Sequence, residues 1–274
     1  MNNPFEIKEP TVISFSGGRT SAFMLYKVLQ AHQMSLPSEA KVIFCNTGKE
    51  DEATLQFVKD CSDRWNVPIT WLEYISEEPK FKVVNFENAS RNGEPFAELI
   101  KVRKMLPNVR ARFCTAELKI RIMSKYTKSL GWEDYANFIG IRADEPRRVA
   151  KMKPDSKRED TIMPLAVEGI SKGDVLNFWQ NNDFDLQLPL VNGETIGGNC
   201  DLCFLKSMPK IMTLIKQEPE RAVWWAKQEE YAQTVTDGLG NRFRIDRPKY
   251  AEISKYMDDQ KDFFDDSIEC FCGD

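Results

Sequence analysis

Histidine is nearly absent from this chain: its 274 residues include one, His32. That scarcity disfavours imidazole acid–base catalysis and any mixed Cys/His metal site, so a metal centre here would be all cysteine or nearly so. His32 itself falls on an expected helix, where a surface or packing role is the simplest assignment. Long apolar runs are also missing. No stretch is long enough to span a bilayer, and no signal-peptide core follows Met1. The expectation is a cytoplasmic protein with no membrane partner, whose seven cysteines serve as thiols or metal ligands rather than disulfides. Excess positive charge is lacking too. Thirty-eight Lys and Arg stand against 42 Asp and Glu, a net −4, which argues against attachment to nucleic acid by bulk charge and leaves room for a local basic cleft.

What is present is the composition of a globular protein, 42% hydrophobic and 29% charged, long enough for one large α/β domain or a domain with an appendage. Its organising stretch is Thr11 to Ser21. Thr11 to Phe15 is a β-branched and aromatic run, the pattern of a buried strand. Ser16-Gly17-Gly18 breaks it, and Ser21 to Gln30 continues at helical spacing. Strand, glycine turn and helix direct backbone N–H groups and the positive end of a helix toward one point, which suits phosphate. The hydroxyls of Ser16, Thr20 and Ser21 add donors. No Gly-Lys-Ser/Thr follows, so this is not a Walker A loop, and the dinucleotide fingerprint is absent as well. A Gly-Gly turn alone is a weak signal; an ordinary tight strand-to-helix turn is the competing reading.

Further along, Lys41 to Cys45 and Pro68 to Tyr74 read as buried strands separated by a helix over Glu50 to Trp65. Residues 76 to 94 read as a loop with a short hairpin. Helices are expected over Pro95 to Met105 and Ala116 to Leu130, and a strand over Ala136 to Ile141. Alternating strands and helices predict a parallel sheet covered on both faces. Residues 150 to 160, a charged stretch with Pro154, read as an exposed, mobile loop. Past Met163, Ser171 and Asp174 have capping-box spacing for a helix through Trp179, and helices are expected over Met208 to Gln217, Pro219 to Ala232 and Pro248 to Asp258. The boundaries read as an α/β domain over residues 1–165 and a helical section over 166–274.

Cys45 and Cys61 fall on a strand and a helix and read as small packing residues. Cys200 and Cys203 form a CxxC turn, and Cys270 and Cys272 a CxC near the end of the chain. Four thiolates so arranged make a tetrahedral site for zinc or an iron–sulfur cluster. Free thiols around a loop are the alternative.

Five ordered blocks carry a resemblance. They are Ser14 to Ser21; Asn46-Thr47-Gly48 with Glu50; Arg112-Phe-Cys-Thr-Ala-Glu-Leu-Lys119; Gly140-Ile-Arg142 with Arg147 and Arg148; and Pro164-Leu165 through Leu188-Pro189-Leu190 to Ile196-Gly197 and Cys200-Asp-Leu-Cys203. Together they resemble the phosphoadenosine phosphosulfate (PAPS) reductase family of the adenine nucleotide α-hydrolase, or PP-loop, superfamily, including variants carried by bacteriophages. The resemblance spans roughly residues 11 to 206. It implies an α/β fold with a doubly wound, mostly parallel five-stranded sheet and a smaller helical, cysteine-containing C-terminal section. By the same resemblance an adenylyl nucleotide (ATP, PAPS or APS) sits on Ser16, Gly17, Gly18, Thr20 and Ser21 with Asn46, Thr47 and Gly48, and Mg2+ accompanies it if ATP is the substrate. Arg112, Arg147 and Arg148 would grip its anionic end, and Lys119 and Arg142 would neutralise charge on the leaving group.

Relatives that reduce APS hold a [4Fe–4S] cluster with a Cys-Cys pair and a later CxxC. By that likeness the ligands here are Cys114, Cys200, Cys203 and one of Cys270 and Cys272, with zinc as the other candidate metal. Family reductases also carry a C-terminal Glu-Cys-Gly motif whose cysteine attacks the sulfonucleotide sulfur, which would make Cys270 or Cys272 the nucleophile. Phe271 departs from that motif, whereas the Ser-Gly-Gly loop is intact except for Thr20 in place of Asp, as in ATP-cleaving relatives. Three functions are compatible with these features: a sulfonucleotide reductase, an ATP-dependent adenylating sulfurtransferase, and a nucleotide-binding accessory protein without turnover. Expected partners are the small-molecule nucleotide, a thiol reductant or sulfur donor protein, a nucleic-acid acceptor, and a second copy of the chain.

Overall fold

A computed structural model describes residues 3–152, 159–191, 194–238 and 240–256. The elements run β1 (Thr11–Phe15), α1 (Arg19–Ala31), β2 (Ala40–Asn46), α2 (Glu52–Arg64), β3 (Ile69–Tyr74), β4 (Phe81–Val84), α3 (Glu94–Arg103), α4 (Phe113–Thr115), a π-helix (Ala116–Arg121) and α5 (Ile122–Ser129). They continue with β5 (Tyr135–Phe138), α6 (Pro146–Lys151), β6 (Glu159–Ile162), α7 (Pro164–Val167), α8 (Lys172–Gln180), the β7–β8 ribbon (Leu190–Val191 and Glu194–Thr195), α9 (Met208–Gln217), α10 (Arg221–Val235) and α11 (Tyr250–Tyr256).

The main sheet has strand order β4-β3-β2-β1-β5-β6. Every neighbouring pair is parallel except β3 with β4. The mostly parallel α/β expectation holds, with six strands rather than five. The additional edges come from residues assigned to loops on polarity. Phe81–Val84 pairs antiparallel with β3, and Glu159–Ile162 pairs parallel with β5. Edge strands need fewer apolar residues than central ones, so composition hides them.

Side-chain alternation divides the central strands between two cores. Ile13, Phe15, Val42, Phe44 and Trp71 face one, while Val12, Ile43, Cys45 and Leu72 face the other. Register fixes the layers, with Ile13 opposite Val42 and Phe44 opposite Trp71. Each fully buried Ile, Val or Leu contributes roughly 1.5–3 kcal/mol. Over the first face lie α1, α2 and α8. Trp179 of α8 packs edge-on to Phe57 at 5.0 Å and to Phe184 at 5.6 Å. α8 begins at the expected capping box, Ser171 with Asp174. Over the second face lie α3, α5, α9, α10 and α11, closed around the fully buried Trp225. Residues beyond 165 thus contribute to both cores.

Strand order reverses direction at β1, whose neighbours are β2 and β5. The carboxyl ends of these strands mark the topological switch point, whose crevice is the position where open α/β sheets take ligands.

Candidate functional site

β1 ends at Phe15 and α1 starts at Arg19. Gly17 takes φ +80, and a Cβ there would lie 2.6 Å from Thr54 Cγ2. Left-handed backbone and crowding both demand glycine. Ser21 ties the loop together. Its Oγ accepts from the Ser16 N–H at 3.1 Å, lies 2.9 Å from Ser16 Oγ and donates to Gly18 O at 3.0 Å. Gly18 is the N-cap of α1 with no side-chain cap, which leaves the first-turn N–H groups to another acceptor.

The stretch after β5 approaches from the other side of the crevice. A Cβ on Gly140 would stand 3.1 Å from Ser21 Cα, so backbone meets backbone there. Arg142 comes two residues later and donates to Thr20 Oγ1 at 3.1 Å. Its Nε donates to Asp144 at 2.9 Å, and its own N–H donates to Glu145. The structure therefore joins Ser16, Gly17, Gly18, Thr20, Ser21 and Arg142 around one helix start.

The remaining cations have other positions. Arg148 is buried and paired with Glu145 rather than open to the crevice. Arg147 is exposed on α6. Arg112 precedes α4 and donates from Nε to Val109 O at 3.4 Å. Lys119 lies in the π-helix, an irregularity often found at functional sites. Its carbonyl accepts from the buried Cys45 thiol at 3.8 Å, and its charge acts on Cys45 and Cys200 alike. Cys45 and Cys61 are buried core thiols. Burial pushes Cys45 up to about 12 against the pull of Lys119.

At the end of β2, Asn46 donates to Glu73 at 2.7 Å and accepts from the Gly48 N–H at 3.1 Å. Thr47 Oγ1 donates to Glu50 Oε2 at 2.8 Å and lies 3.4 Å from Cys200 Sγ. Cys200 also forms a β-bridge with Glu50. Burial, with Glu50 and Cys203 nearby, raises the Cys200 thiol well above its ordinary range. The CxxC turn closes with Cys203 N–H donating to Cys200 O at 3.2 Å. Cys114, Cys200 and Cys203 all pack against the second core, yet among the described residues no three His, Cys, Asp or Glu side chains gather closely enough to hold a metal. Cys270 and Cys272 lie outside the described residues. The CxxC turn meets half of a four-thiolate requirement.

Two contacts had no signal in the sequence. Arg19, between the glycines and Thr20, points away from the crevice. It is buried against Asp185 at 2.7 Å and donates to Thr195 and to the carbonyls of Leu186 and Leu188. Lys49 pairs with Asp201 at 2.9 Å, beneath Trp224 and beside Trp225, whose indole donates to Asp201. Glu50 is buried, with Oε1 lacking a hydrogen-bond partner among the described residues.

An open, mostly parallel sheet with a glycine loop at its topological switch defines a doubly wound α/β protein. Residues 10–192 match the phosphoadenosine phosphosulfate reductase domain, and the chain belongs to that family. It is 34% identical over 221 residues to the uncharacterized nin region protein ORF290 of Escherichia phage lambda, covering 76% of this chain and 70% of that protein. An uncharacterized protein of Methanocaldococcus jannaschii is 29% identical over 146 residues, 53% of this chain and 25% of that one. Among solved structures, PAPS reductase from Candida auris in its phosphate complex superposes with TM-score 0.42 and 15% identity, over 68% of this chain and 82% of that one. The U34-tRNA thiolase NcsA from Methanococcus maripaludis, with its [4Fe-4S] cluster, gives TM-score 0.41 and 13% identity over 89% and 80%. No helix among the described residues is long and apolar enough to cross a membrane.

Proposed function

We propose that this protein is an enzyme that binds an adenylyl nucleotide at the carboxyl end of β1 and cleaves its phosphoanhydride. The observation that carries the reading is the Arg142–Thr20 hydrogen bond across the start of α1. It sets a guanidinium fork beside uncapped helical N–H groups and the Ser16–Ser21 hydroxyl pair. Phosphate oxygens entering there would take the N–H groups of the first turn and one edge of Arg142. As the anhydride bond lengthens, negative charge grows on the departing oxygen, where Arg142 is already held in orientation by Asp144. Asn46, Thr47 and Gly48 close the neighbouring wall of the crevice, their loop held by Glu73 and Glu50.

The Ser16–Ser21 loop, intact except for Thr20 in place of Asp, favours ATP, entering as its Mg2+ complex, over a sulfonucleotide. ATP cleavage at the α-phosphate adenylates an acceptor and releases pyrophosphate. Cys200 and Cys203, with ligands from outside the CxxC turn, would hold a metal or cluster supplying sulfur-transfer or structural chemistry.

Calorimetric titration with ATP, AMP and PAPS, paired with a pyrophosphate-release assay, tests this reading. Uptake of ATP that weakens about 10–100-fold in Arg142→Ala, with the melting temperature little changed, is the expected result. Absence of uptake of all three by well-folded protein, or indifference to Arg142→Ala, sinks the reading. Uptake of PAPS with sulfite release and no pyrophosphate would replace adenylation by reduction.

A further inference from the structure

One segment of this acidic chain is strongly basic. Between positions 101 and 128 there are nine Lys and Arg residues and one carboxylate, Glu117, in a protein whose net charge is −4. The fold gathers them on adjoining surfaces. Lys101, Arg103 and Lys104 end α3, Arg110 lies in the loop beyond it, Arg121 immediately precedes α5 and Lys128 lies in its last turn; all six are exposed. Glu117 is buried and accepts from both Arg103 and Arg121. One carboxylate cannot neutralise two guanidiniums, so that triad keeps net positive charge. Lys125 is paired with Glu78 at 2.8 Å, and Arg103 lies over the Phe113 ring at 5.6 Å.

The π-helix joins the two ends of this face. It carries Lys119, whose carbonyl accepts from Cys45 at the end of β2. From there Arg121, Lys125 and Lys128 recur at four- and three-residue steps, one side of a helix extending about 10 Å. A small anion would need a closed pocket; a stripe of exposed ammonium and guanidinium groups across three elements matches a repeating backbone of charges.

We propose that this face, from the end of α3 across the π-helix and along α5, docks a nucleic-acid strand through its phosphates. Docking itself requires no ATP; only chemistry on the docked strand rests on the nucleotide reading.

The test is fluorescence anisotropy of the full chain with labelled single-stranded DNA, single-stranded RNA and duplex DNA at about 50 and about 200 mM salt. The comparison protein is Lys101→Ala/Lys104→Ala/Lys128→Ala, in which exposed side chains outside the crevice are removed. Binding to at least one of these probes, weakened at least about tenfold by the added salt, is expected, and the triple variant should lower the log–log salt slope by about 2 to 3. RNA against DNA, and single strand against duplex, are distinguished by which probe binds. Failure of every probe to bind at low salt overturns the proposal. So does equal affinity for poly-glutamate, which would mark an acidic-protein surface, or an unchanged slope in the triple variant. Melting temperature and ATP calorimetry on the same variant separate misfolding and loss of the crevice from loss of the docking face.

Discussion

Cys200 Sγ lies 3.4 Å from Thr47 Oγ1, and Thr47 spends its one proton on Glu50 Oε2 at 2.8 Å. The thiol must therefore donate to the hydroxyl, giving a chain from Cys200 through Thr47 to Glu50. The chain ties the CxxC turn to the loop after β2 across 153 residues of sequence.

Thr47→Val keeps the shape and removes the hydroxyl that serves Cys200, Glu50 and the Lys49 N–H. Urea denaturation should show a loss of about 1–3 kcal/mol. Thr47→Ser should stay close to wild type. Equal stability of all three proteins would mean the chain contributes nothing.

Arg19 anchors the glycine loop to the segment before β7. Arg19→Ala would strand Asp185 and uncover two carbonyls, at a cost of about 3 kcal/mol. Arg19→Lys should recover less than half of that, because an ammonium cannot reach Asp185 and both carbonyls together. Equilibrium unfolding reads both, and full recovery by lysine would contradict the fork geometry.

Gly17→Ala meets two penalties: left-handed backbone of roughly 1–2 kcal/mol and a methyl group 2.6 Å from Thr54 Cγ2. Reduced stability and weakened ATP uptake should appear together. Adding Thr54→Ser removes the crowding atom and should restore the steric part only. An alanine variant that binds ATP at wild-type strength would show that the turn is not the phosphate seat.

Asp144 sets the pH response of the crevice. Burial works to raise its pKa, but the Lys172 N–H and the Arg142 guanidinium outweigh it, holding the carboxyl below its ordinary 3.8. The unfolded chain thus takes up this proton first. The stabilisation is whole above pH 3.8 and is lost as pH falls below it. The melting-temperature gap between wild type and Asp144→Asn should accordingly narrow between about pH 5 and about pH 3. A gap that widens on acidification would reverse the sign.

Local chemistry was enough for the framework. Thr11–Phe15 is a strand because β-branched and aromatic residues fill a position buried on both faces. Gly17 marks the turn because only glycine adopts its backbone there without strain, and Ser171 with Asp174 announces α8 by satisfying its first N–H groups. The family, too, could be read from ordered blocks. Edge strands could not: Glu159–Ile162 owes its conformation to pairing with β5, which polarity does not report. Nor could the partners of the site. Arg19 stands inside the loop motif yet turns to Asp185, 166 residues away, and Arg148 turns to Glu145 instead of the crevice. The excess of cations between positions 101 and 128 is a fact of composition, but their gathering on one face comes from α3 packing beside the π-helix. Hydrophobic periodicity and turn chemistry act over a few residues and are written locally. The direction of a long polar side chain depends on which carboxylate or carbonyl the folded chain brings within about 3 Å, and that distance exists only after folding.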